Sequence, residues 1–253
     1  MQLDNTNHIL RLFPSPNESR PLHGLYLSEP LRPAGTPTQP FVYATFIASL
    51  DGRISLPDSK INIRKPPPSI TNPRDWRLFQ ELAASADVVV TSGRYIRDLS
   101  AGEAQDSLPV SDKPEFADLL QWRQEHNLSP QPAVVIVTKS IDLKIPDELL
   151  QSERSIYVAT GTANNKSHIK RLHSQGVRLI EAGKTFVEGD KLIAALAEEG
   201  FGNIFMTAGG VLLNTLIKGN VFHRLYLNQA CRLLGGVRFD TLLKGAPLEP
   251  PAD

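Results

Sequence analysis

The stretch Thr207-Ala208-Gly209-Gly210 decides the fold that we predict for this chain. It follows an apolar run typical of a β-strand, Asn203 to Met206, and precedes a run typical of a helix, Val211 to Lys218. A strand that ends in paired glycines and opens a helix often holds a phosphate, because glycine lets the backbone approach an anion and the first helical amides lack partners. A Gly-Gly turn can also be purely structural, so the rest of the chain must decide.

Length and composition narrow the classes of protein to be considered. The chain has 253 residues, of which 41% are hydrophobic, a proportion typical of a globular protein. Lys and Arg total 27 and Asp and Glu total 27, so no basic excess is present to bind a nucleic acid. The longest apolar runs are far shorter than the roughly 20 residues that span a bilayer. We therefore expect neither a nucleic acid nor a membrane among the partners.

Cysteine and histidine are too sparse for a disulfide or a metal site. Cys231 is the only cysteine, and none of the 6 histidines is followed by another four residues later. A zinc site of the deaminase type would need a Cys-x-x-Cys pair. The first residues, Met1 to Leu10, include Asp4 and His8 and lack the apolar core of a secretion signal. We expect a cytoplasmic protein without a metal.

The pattern of apolar runs predicts one α/β domain over residues 41–253, preceded by an N-terminal extension over residues 1–40. Proline is frequent in the extension and excludes a long helix there. From Phe41 onward, apolar runs typical of buried strands alternate with helical patterns, which indicates a parallel sheet covered by helices. Asn72-Pro73 fits the cap and the first residue of a helix. We expect the last strands, from Val221, to add an antiparallel part.

Polar turns follow four strands of the predicted sheet. Besides the Gly-Gly turn, they are Thr91-Ser92-Gly93-Arg94, Thr138-Lys139-Ser140 and Thr160-Gly161. Because the carboxyl ends of parallel strands meet at one edge of a sheet, we expect these turns to gather there. That edge is the usual place for a nucleotide.

Three motifs give the chain a resemblance to a known family. Ser49-Leu50-Asp51-Gly52-Arg53 ends the first strong strand, Ala86-Asp87 precedes an apolar strand with a glycine-containing turn, and Leu233-Leu234-Gly235-Gly236 follows the late Gly-Gly pair. With these motifs, residues 41–240 resemble the reductase domain of the riboflavin-biosynthesis deaminase/reductase family. The resemblance implies a dihydrofolate-reductase-like fold, which we expect here as a mostly parallel central sheet flanked by helices, with antiparallel C-terminal strands.

The same resemblance implies NADPH-dependent reduction of a ribosylamino-pyrimidine phosphate, by hydride delivery to C1 of the sugar. It also implies a homodimer, for which the apolar run Val221 to Leu227 is the candidate contact. We place the pyrophosphate at the Gly-Gly turn, the 2′-phosphate of NADPH at Lys139 and its neighbours, and the adenine beside Thr160. The candidate coenzyme-binding residues are Thr91, Ser92, Gly93, Arg94, Thr138, Lys139, Ser140, Thr160, Gly209, Gly210, Val211 and Leu212.

The sequence offers fewer candidate residues for binding the substrate than for binding the coenzyme. Arg53 could hold a phosphate or a polar ring edge, although Asp51-Gly52 also fits a tight turn that serves only the fold. No residue stands out as the proton donor, and we interpret Trp76 and Phe79, at helical spacing, as core residues. The candidate substrate-binding residues are Ser49, Asp51, Arg53 and Asp98.

One departure from the family leaves the substrate open. The family usually has a glutamate, directed at the substrate, where this chain has Ala208. Our first hypothesis is a reductase of the riboflavin-pathway intermediate, 5-amino-6-(5-phosphoribosylamino)uracil. The second is an NADPH-dependent reductase of the same fold that acts on a pterin-like or carbonyl compound. The third is a nucleotide-binding protein without catalytic activity.

Overall fold

A seven-stranded sheet forms the centre of the computed structural model, which describes residues 7–28, 35–57, 64–102, 110–162, 165–249 and 251. In chain order, the strands are β1 (His8–Arg11), β2 (Glu18–Pro21), β3 (Phe41–Ser49), β4 (Leu56–Pro57), β5 (Arg64–Lys65), β6 (Val88–Ser92), β7 (Ala133–Val137), β8 (Ile156–Thr160), β9 (Arg178–Glu181), β10 (Asn203–Met206) and β11 (Arg224–Ala230). The helices are α1 (Pro73–Ala84), α2 (Gly93–Ser100), α3 (Ala117–Glu125), α4 (Asp147–Leu150), α5 (Lys166–Ser174), α6 (Gly189–Glu198) and α7 (Gly210–Lys218).

This sheet is parallel throughout and has helices on both faces. Its strand order is β11-β3-β10-β6-β7-β8-β9, and every neighbouring pair runs in the same direction. Central runs such as Val88-Val89-Val90 are unbroken and apolar because both of their faces are buried. Alternate strand residues pack against α6 and α7 on one face and against α1, α2, α3 and α5 on the other. The mostly parallel sheet flanked by helices, expected of a dihydrofolate-reductase-like fold, is confirmed.

The last strand corrects one part of that expectation. We expected antiparallel C-terminal strands, but β11 pairs with β3 in parallel, with Arg224 opposite Tyr43 and Leu227 opposite Phe46. Helix α7 lies between β10 and β11 and returns the chain to the starting end of the sheet, so the next strand runs in the same direction. Among the described residues, antiparallel pairing by the part of the chain after β11 is confined to one bridge, between Asp240 and Ser55.

Helix α1 begins where the sequence predicts. Asn72 is its cap and accepts a hydrogen bond from the amide of Asp75 at 3.0 Å, while Pro73 is the first helical residue. Proline suits this position because its missing N–H would have no partner there. The cap and the proline together determine where the first turn, with Asp75 and Trp76, begins.

Part of the predicted N-terminal extension packs against α1. The amides of Gly24 and Tyr26 donate hydrogen bonds to the carboxylate of Glu81, at 2.6 and 2.9 Å. Glu81 is fully buried, so these amides solvate a charge that water does not reach. Residues 1–6 and 29–34 of the extension lie outside the described residues, and its division from the domain at residue 40 stays a prediction.

After β11, the chain returns across the carboxyl edge of the sheet. The amide of Ile54 donates to the carbonyl of Asp240 at 3.0 Å, and the amide of Asp240 donates to the carbonyl of Ser55 at 3.1 Å. Further along, the amide of Lys244 donates to the carbonyl of Gly210 at 3.2 Å. Residues 240–244 therefore form a rim beside the Gly-Gly turn, which we call the C-terminal rim.

Two further observations concern possible ligands and partners. In the ranges that the structure describes, no three or more His, Cys, Asp and Glu side chains are grouped so that they could hold a metal ion. None of the helices in those ranges combines the length and the apolar character needed to cross a membrane.

Candidate functional site

A cavity of about 1070 Å³ opens at the carboxyl edge of the sheet. Small-molecule sites typically measure about 300–1,000 Å³, so this edge cavity is large enough for a ligand of substantial size. Its walls come from the ends of β3, β6 and β7, from the first turns of α1, α2 and α7, and from the C-terminal rim. The residues that line it include Phe46, Ile47, Lys65, Asp75, Trp76, Phe79, Ser92, Arg94, Asp98, Thr138, Lys139, Phe186, Ala208, Gly209, Gly210, Val211, Leu212, Asp240, Thr241 and Lys244.

The Gly209-Gly210 turn presents one glycine to open space and buries the other. A Cβ atom at Gly209 would meet no atom within 4 Å. A Cβ atom at Gly210 would lie 2.6 Å from the carbonyl oxygen of Thr241, so only glycine allows the C-terminal rim to come this close. The residues to which we assigned the pyrophosphate, Gly209 to Leu212, all line the edge cavity. Their binding role stays a prediction.

The start of α2 contributes a second group of polar side chains. Ser92 is the cap of this helix, and its hydroxyl accepts a hydrogen bond from the amide of Tyr95 at 3.3 Å. The Arg94 guanidinium lies 3.9 Å from the carboxylate of Asp98 and 3.9 Å from that of Asp240. Ser92, Arg94 and Asp98 line the edge cavity. An anion bound here would therefore compete with two carboxylates for Arg94.

Two other candidates from this turn lie behind the cavity wall. Thr91 is 1% exposed within β6. Gly93 packs against Thr138, where a Cβ atom would lie 2.8 Å from the hydroxyl oxygen. Neither residue lines the edge cavity. The missing side chain of Gly93 lets α2 approach Thr138 at the end of β7.

The turn after β7 brings a cation to the edge cavity. Thr138 and Lys139 line the cavity, whereas Ser140 does not. The Lys139 ammonium lies 5.1 Å from the centre of the Phe186 ring, and the Thr138 hydroxyl donates to the carbonyl of Ser140 at 2.9 Å. Thr160, at the end of β8, is buried and lies outside the lining. Lys139 is thus the candidate of this group that a ligand can reach most directly.

Of the candidate substrate residues, the structure brings only Asp98 to the edge cavity. The Ser49 hydroxyl donates to the Asp51 carboxylate at 2.5 Å, and the Arg53 guanidinium forms an ion pair with the same carboxylate. Asp51 also accepts hydrogen bonds from the amides of Leu234 at 3.2 Å and Gly235 at 2.8 Å. Asp51 therefore ties the turn after β3 to the Leu-Leu-Gly-Gly turn, so the first and last motifs of the sequence meet in space.

These hydrogen bonds make the stability of the fold depend on pH. The Ser49 hydroxyl, and after it the Gly235 amide, lower the pKa of Asp51 from 3.8 to about 2. The ionised carboxylate therefore stabilises the fold at neutral pH, and this contribution is lost as the pH falls from 3.8 through about 2. We expect Asp51→Asn to flatten the pH dependence of the thermal unfolding midpoint in this window, as measured by circular dichroism. An unchanged pH profile would contradict this role of Asp51.

The first turns of α1 supply an aromatic wall that the sequence analysis did not assign to the site. Trp76 and Phe79 line the edge cavity, and their stacked rings have centroids 5.0 Å apart and planes inclined by 6°. They also pack against the apolar cluster beneath α1, which agrees with the core role that we predicted. Helical spacing is the same for both roles, so the sequence carries no signal that separates them.

Asp75 is the acidic residue of this wall, and sequence reasoning also missed it as a site residue. Asn228 on β11 donates a hydrogen bond from its side-chain amide to the Asp75 carboxylate. Burial raises the pKa of Asp75, and the bond from Asn228 acts in the opposite direction. An Asp in the first turn of a helix is common because it complements the helix dipole, so the sequence alone points to that simpler explanation.

The family model described as the RibD C-terminal domain matches residues 40–250. The chain belongs to this family. The resemblance found from the sequence is thereby confirmed, and membership supports an oxidoreductase of the riboflavin-pathway type. A comparison with curated protein sequences gives no match.

Solved structures share the fold of this RibD C-terminal domain at low sequence identity. A pyrimidine reductase-like protein from Corynebacterium diphtheriae aligns over 90% of this chain and 87% of its own, with a TM-score of 0.63 and 17% identity. RibD from Acinetobacter baumannii aligns over 83% of this chain and 51% of its own, with a TM-score of 0.56 and 19% identity. A Thermotoga maritima diaminohydroxyphosphoribosylaminopyrimidine deaminase/5-amino-6-(5-phosphoribosylamino)uracil reductase aligns over 85% and 51%, with a TM-score of 0.55 and 13% identity. The chain spans about half the length of the latter two.

At position 208, the resemblance implies a glutamate, whereas this chain has an alanine. Ala208 lines the edge cavity and is 6% exposed, so a methyl group stands where the resemblance implies a carboxylate. The acidic residues in the lining are instead Asp75, Asp98 and Asp240. A ligand in the edge cavity would therefore meet these three carboxylates and none at position 208.

Proposed function

We propose that the chain is an NADPH-dependent reductase of the riboflavin-pathway pyrimidine intermediate, with an activity like that of 5-amino-6-(5-phosphoribosylamino)uracil reductase. The main support for the proposal is the edge cavity, because the starts of α2 and α7 and the Lys139 side chain all line it. Helix starts have unpaired amides and a partial positive charge, so they favour phosphate groups. A phosphorylated dinucleotide carries several phosphate groups, so its site needs several anion-binding groups along one cavity.

The start of α7 fits the pyrophosphate of the coenzyme. Open space at Gly209 lets phosphate oxygens approach the backbone closely. The amide of Leu212 already donates to the carbonyl of Gly209 at 3.0 Å. Within the described residues, no backbone carbonyl accepts a hydrogen bond from the amides of Gly210 and Val211. These two amides could therefore donate hydrogen bonds to a bound phosphate.

The turn after β7 fits the 2′-phosphate that distinguishes NADPH from NADH. Lys139 is exposed at the edge cavity, and its contact with the Phe186 ring holds the ammonium on that side. An ammonium beside a phosphate forms a charge-assisted hydrogen bond, which a coenzyme without that phosphate cannot make.

Lys139→Gln is therefore expected to weaken NADPH binding about tenfold while NADH binding stays within about twofold of the wild type. Both affinities can be measured by fluorescence titration of the reduced coenzymes. Lys170→Gln is the matched control, because Lys170 is an exposed residue of α5 outside the cavity lining. Equal losses for the two coenzymes would show that Lys139 does not recognise the 2′-phosphate.

The side chains around the edge cavity would hold the reactants together and keep water away from them. The coenzyme supplies the hydride when it is bound. Phe46, Trp76 and Phe79 provide apolar surface, which excludes water from the reacting atoms. Asp98 lies on the α2 side of the same cavity, where it can accept a hydrogen bond from a hydroxyl group of the substrate.

Two observations favour a second candidate, an NADPH-dependent reductase of the same fold with a pterin-like or carbonyl substrate. Ala208 replaces the usual family glutamate inside the edge cavity. In addition, Asp51 and Arg53 are engaged with each other and with the Leu-Leu-Gly-Gly turn. Of the four candidate substrate-binding residues, only Asp98 is therefore available to a phosphorylated substrate in the edge cavity.

Turnover assays separate these candidates. NADPH oxidation with the ribosylamino-pyrimidine phosphate, and growth of a strain that lacks the riboflavin-pathway reductase, would support the first. Oxidation with a pterin or a small carbonyl compound alone would support the second. NADPH binding without turnover of any of these compounds would indicate a non-catalytic nucleotide-binding protein. A folded chain that binds no NADPH would overturn the proposal.

We also propose that the protein is a homodimer in the cytoplasm. β11 is an edge strand of the sheet, and its residues Leu225 and Leu227 are 40% and 45% exposed. Apolar side chains on an edge strand support burial against a second copy. Cys231 is exposed and forms no disulfide, which suits a reducing compartment. Sedimentation analysis that finds only monomer would contradict the dimer.

A further inference from the structure

The carboxylate of Asp240, in the C-terminal rim, draws two cations together in the lining of the edge cavity. Oδ1 of Asp240 lies 3.4 Å from Nζ of Lys244, and Oδ2 lies 3.9 Å from Nη1 of Arg94. The Ser55 hydroxyl donates a hydrogen bond to Oδ2 at 3.0 Å. All four residues line the edge cavity. Asp240 therefore joins the rim to the start of α2 and to the turn after β3.

Backbone hydrogen bonds hold the rim in place without help from this carboxylate. The amide of Ile54 donates to the carbonyl of Asp240, and the amide of Asp240 donates to the carbonyl of Ser55. The amide of Lys244 donates to the carbonyl of Gly210 at 3.2 Å. The side-chain ion pairs of Asp240 can therefore be exchanged for other contacts while the rim keeps its position.

These ion pairs are long, and a ligand can reach both cations. Close charge-assisted hydrogen bonds measure about 2.7–2.9 Å, which is shorter than either contact of Asp240 with a cation. The side chains of Arg94 and Lys244 are 47% and 63% exposed, whereas that of Asp240 is 17% exposed. Arg94 also lies 3.9 Å from Asp98 on its own helix. Exposed ion pairs of this length contribute little to stability, so the two cations can exchange partners at small cost.

We propose that Asp240 competes with the phosphate groups of a bound ligand for Arg94 and Lys244, and thereby limits how tightly the edge cavity binds that ligand. A phosphate group carries more negative charge than a carboxylate and has three strong acceptor oxygens, so it can take over both cations. Asp240 keeps its hydrogen bond from Ser55, which compensates in part for the contacts that it loses.

This inference rests on the proposed reductase function and concerns the regulation of affinity at the same site. A reductase must release its oxidised coenzyme and its product in every turnover, and such release often limits the rate. A carboxylate that competes for the phosphate-binding cations lowers the affinity and favours release, since affinity differences arise mostly in the dissociation rate.

Asp240→Asn tests this competition, because asparagine has nearly the same size and keeps an oxygen that can accept from Ser55. The variant is expected to bind a phosphorylated ligand about fivefold more tightly than the wild type. NADPH and ribose 5-phosphate are titrated separately into the full chain by calorimetry at neutral pH. A gain for NADPH alone would assign the two cations to the coenzyme, and a gain for ribose 5-phosphate alone would assign them to the substrate.

Lys244→Gln shows whether Asp240 acts through the cations or only by repelling the ligand. In this background one of the two cations is already lost, so Asp240→Asn is expected to raise the affinity by about twofold or less. An equal gain with and without Lys244 would indicate general repulsion and would overturn the inference.

Asp142→Asn is the matched control, since Asp142 lies 3.4 Å from Arg171 in a similar ion pair outside the cavity lining. It is expected to leave both affinities within about twofold of the wild type. Asp240→Ala serves as a second variant without the charge, and thermal unfolding shows whether each variant is folded. Folded Asp240 variants that bind both ligands as the wild type does would overturn the inference alone. A wild type and variants that bind neither ligand would instead overturn the reductase function.

Discussion

Arg77→Met is expected to lower the free energy of unfolding by about 3–5 kcal/mol. The side chains of Arg77 and Glu81 are 4% and 0% exposed, and Nε of Arg77 lies 2.8 Å from Oε1 of Glu81. Methionine would fill much of the space of the arginine side chain but would remove its charge. The Glu81 carboxylate would then be buried without a cation, which is the costly way to break a buried ion pair. Denaturant titration followed by circular dichroism measures the loss.

The expected cost is large because this ion pair joins three parts of the fold. Arg77 also reaches the Asp118 carboxylate on α3 at 2.5 Å, and this hydrogen bond lowers the pKa of Asp118. Glu81 accepts hydrogen bonds from the amides of Gly24 and Tyr26 in the N-terminal segment. An apolar replacement of both Arg77 and Glu81 would leave those two amides without acceptors, so hydrophobic packing alone cannot substitute for the pair.

A surface ion pair provides the control for this prediction. Arg178 and Glu199 are 2.7 Å apart, but their side chains are 64% and 34% exposed. Exposed pairs contribute little, so Arg178→Met is expected to cost less than about 1 kcal/mol. Similar losses in the two variants would show that the buried pair does not anchor α1.

Local sequence patterns account for most of the helices and strands but not for the direction of the last strand. The start of α1 follows from Asn72-Pro73, because capping depends on neighbouring residues alone. An apolar run such as that in β11 has the same pattern whether the strand is parallel or antiparallel. Its direction depends on how α7 crosses the sheet, which is a property of the whole fold.

The same distinction separates the site residues that could be predicted from those that could not. The turns that carry Lys139 and Gly209 reach one cavity because parallel strands share a carboxyl edge. The sequence suggested a local turn for Asp51, but two of its partners, Leu234 and Gly235, lie 183 and 184 residues away, so its link to the Leu-Leu-Gly-Gly turn was not visible locally. Asp75 depends in the same way on Asn228, which is 153 residues distant in the chain.

Gly209→Asp is expected to weaken NADPH binding by about 100-fold or more while stability is kept. Two unit charges about 5 Å apart in a partly buried site repel each other by about 3 kcal/mol, and the new carboxylate would lie where we propose the pyrophosphate. The fold should tolerate the change, because the backbone at Gly209 is extended, with φ −78° and ψ −176°, and because Asp is a favoured helix cap. Coenzyme titration and thermal unfolding measure the two effects separately.

Gly209→Asn distinguishes repulsion from simple obstruction of the site. Asn has nearly the same size as Asp and is an equally good cap, but it carries no charge, so its effect on NADPH affinity should be clearly smaller. Equal losses in both variants would indicate that the side chain only blocks the cavity and that no phosphate lies against the start of α7. Unchanged affinity in both would place the coenzyme elsewhere. If the Asp variant is stable and its NADPH affinity falls far more than that of the Asn variant, the Gly-Gly turn is an anion site. This follows because charge is the one property in which the two side chains differ substantially.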